Sequence, residues 1–181
     1  RNDDEVATVI TVPAAFNQMQ NAATLEAAHL AGIGKVALMQ EPVAAIMSVM
    51  KTNNSNGNFL IFDLGGGTLD IAIAESMSGK VNLLAHGGIA MCGGRDFDRL
   101  VMNNIVIPWL KENYKLPDNF RTEEKFQKLM RIASYKTECA KIELSSDEIV
   151  NIEGETGIED LNGEEIYLDI ELKRSVYDEL I

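Results

Sequence analysis

At 181 residues and 46% hydrophobic content, the chain has enough apolar side chains for a sizeable core in one domain or two small lobes, which excludes intrinsic disorder. Its 28 acidic against 16 basic residues leave a formal net charge of −12, which argues against a nucleic-acid partner or an acidic membrane surface, since both need Lys and Arg concentrated opposite phosphates. Only two cysteines occur, Cys92 and Cys139; far apart and without CxxC or Cys/His spacing, they read as small buried hydrophobes in a reducing compartment, not as a disulfide or zinc framework.

No apolar run approaches the roughly 20 residues of a membrane span, and no charged-then-apolar leader opens the chain. A soluble, cytoplasmic protein without a membrane partner is the expectation. The chain enters a strand pattern almost at once and closes on KRSVYDELI, which reads as a helix in progress. Both ends suggest a piece of a larger protein.

Residues 6–13, VATVITVP, are β-branched and nearly continuously apolar, as suits a strand covered on both faces, with Pro13 ending it. Residues 16–34 read as a helix with Ala22, Leu25, Ala28 and Ala31 on a narrow apolar side and Gly32 and Gly34 as its stop. KVALMQEP is a second buried strand, and Pro42 falls at the first position of the helix that follows. This β-α-β-α alternation predicts an α/β layer with a crossover helix packed on a sheet. Residues 51–58, KTNNSNGN, are the most linker-like stretch and mark a lobe boundary.

Three strand candidates follow, NFLIFDLG, TLDIAIAES and KVNLLAHG, joined so briefly that an antiparallel meander is expected. From Gly93 the pattern turns helical. Phe97, Leu100, Val101, Ile105 and Leu110 lie near helical spacing, with Pro108 set to kink or divide the run. The next helix opens at Thr122 with a weak cap, helped by Glu123 and Glu124 through the helix dipole, and buries Phe126, Leu129, Met130, Ala133, Ala140 and Leu144. EIVNIEGE and EEIYLDIEL alternate as strands around the turn GIEDLNGE. No internal repeat or low-complexity segment occurs.

The chemistry concentrates in IFDLGGGTLDIAIAE, residues 61–75. Glycines between strands permit positive φ and close backbone approach, so successive N–H groups can converge on an anion. Asp63 and Asp70 would face the same turn, where two carboxylates suit hydrated Mg2+ set between them and a phosphate, and Thr68 adds a hydroxyl for a phosphate oxygen. On pattern alone, a plain Gly-rich hairpin and a phosphate cradle at Gly65, Gly66 and Gly67 both remain open. Glu41 closes a strand immediately before a helix, where α/β sheets expose ligand-binding groups. Gly93 and Gly94 open a helix, an anion-compatible arrangement. Glu138, Lys141 and Ser145 fall at i, i+3 and i+7, one helical face able to grip a sugar or base. Each signal is weak singly, since Glu41 reads equally as a helix-entry acid and Lys141 as a solvated charge.

In order and spacing, VITVPAAFNQMQNAAT, QEPVAAI, DLGGGTLDIAI, GGRDFD and AKIELS resemble motifs of the DnaK-type heat-shock chaperones, whose ATPase domain has an actin-like, ribonuclease-H-like α/β fold. The resemblance implies a partial fold from the middle of that domain. Residues 1–54 would belong to the first lobe, 55–92 to the core of the second, and 93–181 to its α+β outer subdomain with the start of a return helix. It implies ATP or ADP with Mg2+ as ligands, Gly65, Gly66, Gly67 and Thr68 as the second phosphate loop, and Asp63 and Asp70 beside the metal and the attacking water. It further implies Glu41 as the carboxylate that positions that water, Pro13 as a switch proline, Glu138, Lys141, Ile142 and Ser145 as an adenosine pocket, and Gly93 and Gly94 as further nucleotide-binding residues. The implied activity is γ-phosphate hydrolysis, coupled to unfolded-peptide binding in a separate domain and controlled by a J-domain co-chaperone and a nucleotide exchange factor.

Departures from the family pattern are Asn21 where an arginine is usual, Leu69 for phenylalanine, Ile89 to Cys92 for a more polar run, and Arg95 for an acidic residue. The family's first phosphate loop and catalytic lysine would lie before Arg1 and its last adenine-contacting loop after Ile181, so negligible ATP hydrolysis is expected of this piece alone. Competing readings are another actin-like protein such as a sugar kinase or filament protein, a regulatory chaperone relative that binds ATP without turnover, and a plain α/β domain without a nucleotide site. Intact Asp63, Asp70 and Glu41 favour hydrolysis.

Overall fold

The computed structural model describes residues 7–53 and 56–181. The expected first strand's start at Val6, and Asn54 and Ser55 within the expected linker, lie outside the described residues. The chain divides into two compact units, Arg1–Gly93 and Gly94–Ile181.

In the first unit β1 (Thr8–Val12) and β2 (Val36–Gln40) pair in parallel through the crossover helix α1 (Gln18–Leu30). A reciprocal capping box starts α1. Asn17 Oδ1 accepts the Gln20 N–H at 3.0 Å, and Gln20 Oε1 accepts the Asn17 N–H at 2.9 Å. The helix stops before Gly32, which takes φ +72°. Coverage of β1 on both faces, expected from its continuous apolar run, is not found: Val12 is buried but Val9 is 54% exposed. Helix α1 packs on β2, and its alanine-rich stripe buries only Ala28 and leaves Leu25 exposed.

Helix α2 (Glu41–Asn53) begins at Glu41, one residue ahead of the expected start at Pro42. Beyond it β3 (Gly57–Leu64), β4 (Thr68–Met77) and β5 (Lys80–Ala90) form the expected antiparallel meander. Ser78 and Gly79 make a two-residue turn between β4 and β5 with φ of +51° and +79°, the double positive φ that matches strand twist in a tight hairpin. Along β4, Ala72, Ala74 and Ser76 are buried on the face that carries Phe59 and Ile61. There α2 packs, with Ile46 buried and Ser76 Oγ donating to Met50 Sδ at 3.0 Å. On the opposite face Leu60, Phe62, Ile71, Ile73 and Ile89 stay exposed.

The second unit opens with α3 (Gly94–Val101), a π-helical segment Met102–Val106, and α4 (Ile107–Asn113). Pro108 has no N–H for the carbonyl four residues back, and the chain widens just before it, the Ile107 N–H bonding Met102 O. Pro108 therefore changes the helix type instead of ending the run. Helix α5 (Glu124–Glu143) is capped at Glu123 without a side-chain bond; Thr122, expected as the cap, instead donates its hydroxyl to Asn119 O. Strands β6 (Ile149–Glu159) and β7 (Glu165–Lys173) form a hairpin, and α6 (Arg174–Leu180) follows. Strand β6 runs on through Gly154 and Gly157, both at positive φ, with an irregular register between Glu155 and Glu159. These glycines shift the turn to residues 160–164.

The core of this unit joins Phe126, Leu129, Ala133 and Ala140 of α5 to Ile152, Ile166 and Leu168 of the hairpin, with Phe120 and Leu110 closing it. Cys139 is half-buried, as is Cys92 in the first unit, so neither is the fully buried hydrophobe expected. Asp160 ties the hairpin turn to the α4–α5 connection. Its carboxylate accepts N–H bonds from Lys115 (2.9 Å), Asn162 (2.7 Å) and Glu164 (3.0 Å). Burial alone would raise its carboxyl, and the backbone N–H bonds outweigh that and hold it below the ordinary 3.8.

Two outcomes follow for folding. Leu168→Ala, at a fully buried position, costs about 2–5 kcal/mol by urea denaturation. Because the folded state depresses the Asp160 pKa, this group contributes stability above its unfolded value, and that contribution is lost as pH falls through the lower folded value. Asp160→Asn is thus less stable than wild type at neutral pH, and thermal melts converge on acidification below pH 3.8. A gap that persists unchanged in acid removes Asp160 ionisation from the account.

Candidate functional site

The glycine run, Gly65, Gly66 and Gly67, joins β3 to β4, and the Gly65 N–H closes it on Thr68 O at 2.9 Å. A second tie comes from the end of β5, where the Met91 N–H donates to Gly67 O at 2.9 Å. Met91 adopts φ +59°, uncommon for a side chain of its size. Gly93 presses on the loop so closely that a Cβ there would meet Gly67 N at 2.4 Å, Gly66 C at 2.5 Å and Gly65 O at 2.7 Å. Close approach, not positive φ, therefore demands glycine at position 93; the left-handed glycines lie elsewhere, at positions such as Gly32, Gly79 and Gly163.

Three carboxylates gather beside this loop. Asp63 and Asp70 stand directly opposite each other across β3 and β4, an arrangement that like charges disfavour. By strand alternation they share the face on which α2 packs. Glu41, the first residue of α2, has its carboxyl pushed up by partial burial and then by the charges of Asp63 and Asp70. Among the described residues no group of three His, Cys, Asp or Glu side chains is placed to ligate an ion directly. Hard oxygen donors that repel one another suit a divalent cation held through water, and Mg2+ fits that donor set.

Gly88 of β5 completes the site and escaped the reading of the sequence. It pairs with Asp70, and a Cβ on it would meet Asp70 Oδ1 at 2.6 Å and Leu69 O at 3.3 Å. The Asp70 carboxylate thus occupies the space that a side chain at 88 would fill. The available signal was a pair of glycines, Gly87 and Gly88, inside a strand pattern, which marks close approach by another group.

The remaining expected site residues lie as follows. Thr68 opens β4, and Pro13 follows β1, its carbonyl accepting the Phe16 N–H at 3.1 Å. Gly94 opens α3. Lys141 is already engaged: its Nζ donates to Gly94 O at 2.8 Å and pairs with Asp98 Oδ1 at 2.7 Å. Glu138 and Ile142 are exposed on α5. Ser145 lies past the helix end, its hydroxyl donating to Ile142 O, so Glu138, Lys141 and Ser145 do not share one continuous helical face.

The family model described as "Hsp70 protein" matches residues 2–181. A chaperone protein dnaK of Phaeodactylum tricornutum is 36% identical over 172 residues, 95% of this chain and 27% of the relative. Another, of Thalassiosira pseudonana, is 34% identical over 98% of this chain and 28% of its own length. Heat shock 70 kDa protein 7, chloroplastic, of Arabidopsis thaliana is 38% identical over 80% of this chain and 19% of its own length. The chain belongs to the Hsp70 family, and its mixed α/β units are a partial actin-like fold. It spans between about a fifth and a little over a quarter of the length of these relatives.

Two glycine substitutions test the geometry. Gly88→Ala forces the Asp70 carboxylate out of its position, and Gly93→Ala forces the loop backbone to shift. In NMR spectra of the 181-residue chain the first moves the Asp70 side-chain carboxyl resonance and the second the amides of Gly65, Gly66 and Gly67, while β6 and β7 stay unperturbed. Unmoved resonances in both variants refute this packing.

Proposed function

We propose that this chain is part of the ATP-binding and ATP-hydrolysing domain of a molecular chaperone. The observation that carries the reading is the gathering of Glu41, Asp63 and Asp70 beside a glycine loop held from behind by Gly93. In this reading the loop amides and the Thr68 hydroxyl bond phosphate oxygens, and Asp63 and Asp70 hold Mg2+ through water. When bound, that ion neutralises charge on the phosphates. Glu41 and Asp70 orient the attacking water for in-line displacement, and the raised Glu41 carboxyl is better matched than an ordinary one to accepting a proton near neutral pH.

Glu138, Ile142 and Ser145 are proposed to line the adenosine side, with Lys141 acting through its hold on Gly94 and Asp98. Pro13 is proposed to pass nucleotide state to a separate peptide-binding domain, with a J-domain co-chaperone and a nucleotide exchange factor as partners; that relatives are chaperones and heat-shock proteins supports the chaperone role. Relatives named as chloroplastic support a plastid residence, and a cytoplasmic one rests on the sequence reading alone. By itself the 181-residue chain is proposed to hydrolyse ATP negligibly, since an incomplete cleft cannot preorganise a transition state.

The test is steady-state ATP turnover of the full-length protein. Asp70→Ala lowers kcat by about 100-fold or more, and unfolded peptide changes the wild-type rate. Unchanged turnover in the variant removes Asp70 from the mechanism, and indifference to peptide removes the chaperone coupling.

A further inference from the structure

The second unit contains a cavity of about 430 Å3 whose lining combines three guanidiniums with an apolar surface. Arg95 and Arg99 reach it from α3 and Arg121 from the α4–α5 connection. They are three of the six arginines in a chain of net charge −12, so their concentration in one cavity runs against the overall charge. Of the two lining carboxylates, Asp98 is already matched by Lys141 at 2.7 Å, and Glu138 is the other acid of the lining. Arg121 is held in place by Asn103 Oδ1 at 3.2 Å and Arg99 by Asp96 at 3.3 Å.

Met102, Ile107 and Met130 supply the apolar lining, with Tyr135 and Ser134 beside them. Met102 and Asn103 belong to the π-helical segment, a backbone form that recurs at functional sites. The volume lies in the range of small-molecule sites. Only Glu138 is shared with the residues proposed for adenosine.

We propose that this cavity binds an organic phosphate monoester, an aromatic or alkyl group carrying a dianionic phosphate. One guanidinium suffices for a carboxylate, whereas guanidiniums from separate elements suit the several oxygens and double charge of a phosphate. A bare phosphate ion would leave Met102, Ile107 and Met130 unused.

The test uses the 181-residue chain with labelled methionine methyls and phenyl phosphate as probe. Saturable shifts of the Met102 and Met130 methyls are expected, without shifts at Ile142. Inorganic phosphate and benzoate each bind at least about tenfold more weakly, and Arg99→Gln with Arg121→Gln weakens phenyl phosphate by about tenfold or more. No saturable shift, equal binding of inorganic phosphate or benzoate, or full binding by the double variant overturns the proposal. Should Arg121→Gln disturb the β6 and β7 amides, Arg99→Gln alone decides, because the Arg99 side chain is 60% exposed and its loss leaves the core untouched; undiminished phenyl phosphate binding by that variant then overturns the site.

Discussion

The first unit is organised around a repulsion it has to contain. Placing Asp63 opposite Asp70 and bringing Glu41 to the same place is unfavourable in itself, and such an arrangement persists only where the surrounding packing over-determines it. That packing comes from small residues. Ala72, Ala74 and Ser76 let α2 settle on the sheet, which delivers Glu41 at the start of the helix to the strand ends. Gly88 leaves room for the Asp70 carboxylate, and Gly93 lets the chain lie flush on the loop. Each of these positions lacks side-chain bulk where the charges or the loop need space.

The two units spend their apolar residues differently. The second closes a continuous core between α5 and the β6–β7 hairpin, with Asp160 fastening a turn to a neighbouring connection through three N–H bonds. Among the described residues the first buries few large side chains, and one face of its three-stranded sheet leaves Leu60, Phe62 and Ile73 exposed. Burial scales with the area removed from water, so the second unit carries the larger hydrophobic stabilisation for a similar number of residues.

Much of this was legible in the sequence wherever a local rule governs. The parallel pair with its crossover helix, the antiparallel meander and the buried stripe of α5 follow from hydrophobic period and turn residues. Some local signals and all distant ones were misjudged. Thr122 looked like a cap but bonds Asn119 O, and Pro108, expected to kink or divide the run, is accommodated by a wider helix. Lys141 is engaged by Asp98, forty-three positions earlier in the chain, and no helical spacing could announce that.

By itself the sequence determined the elements and the identity of the glycine loop with its flanking acids, because DLGGGTLD is specific and its strands are set by local alternation. Only the tertiary structure decided which face of β4 is covered: α2 takes the alanine side, where small residues permit close helix approach, and leaves Ile71 and Ile73 outside. It also decided why position 93 is glycine. The loop backbone comes within reach of it, and that distance is set by folding, not by the order of residues.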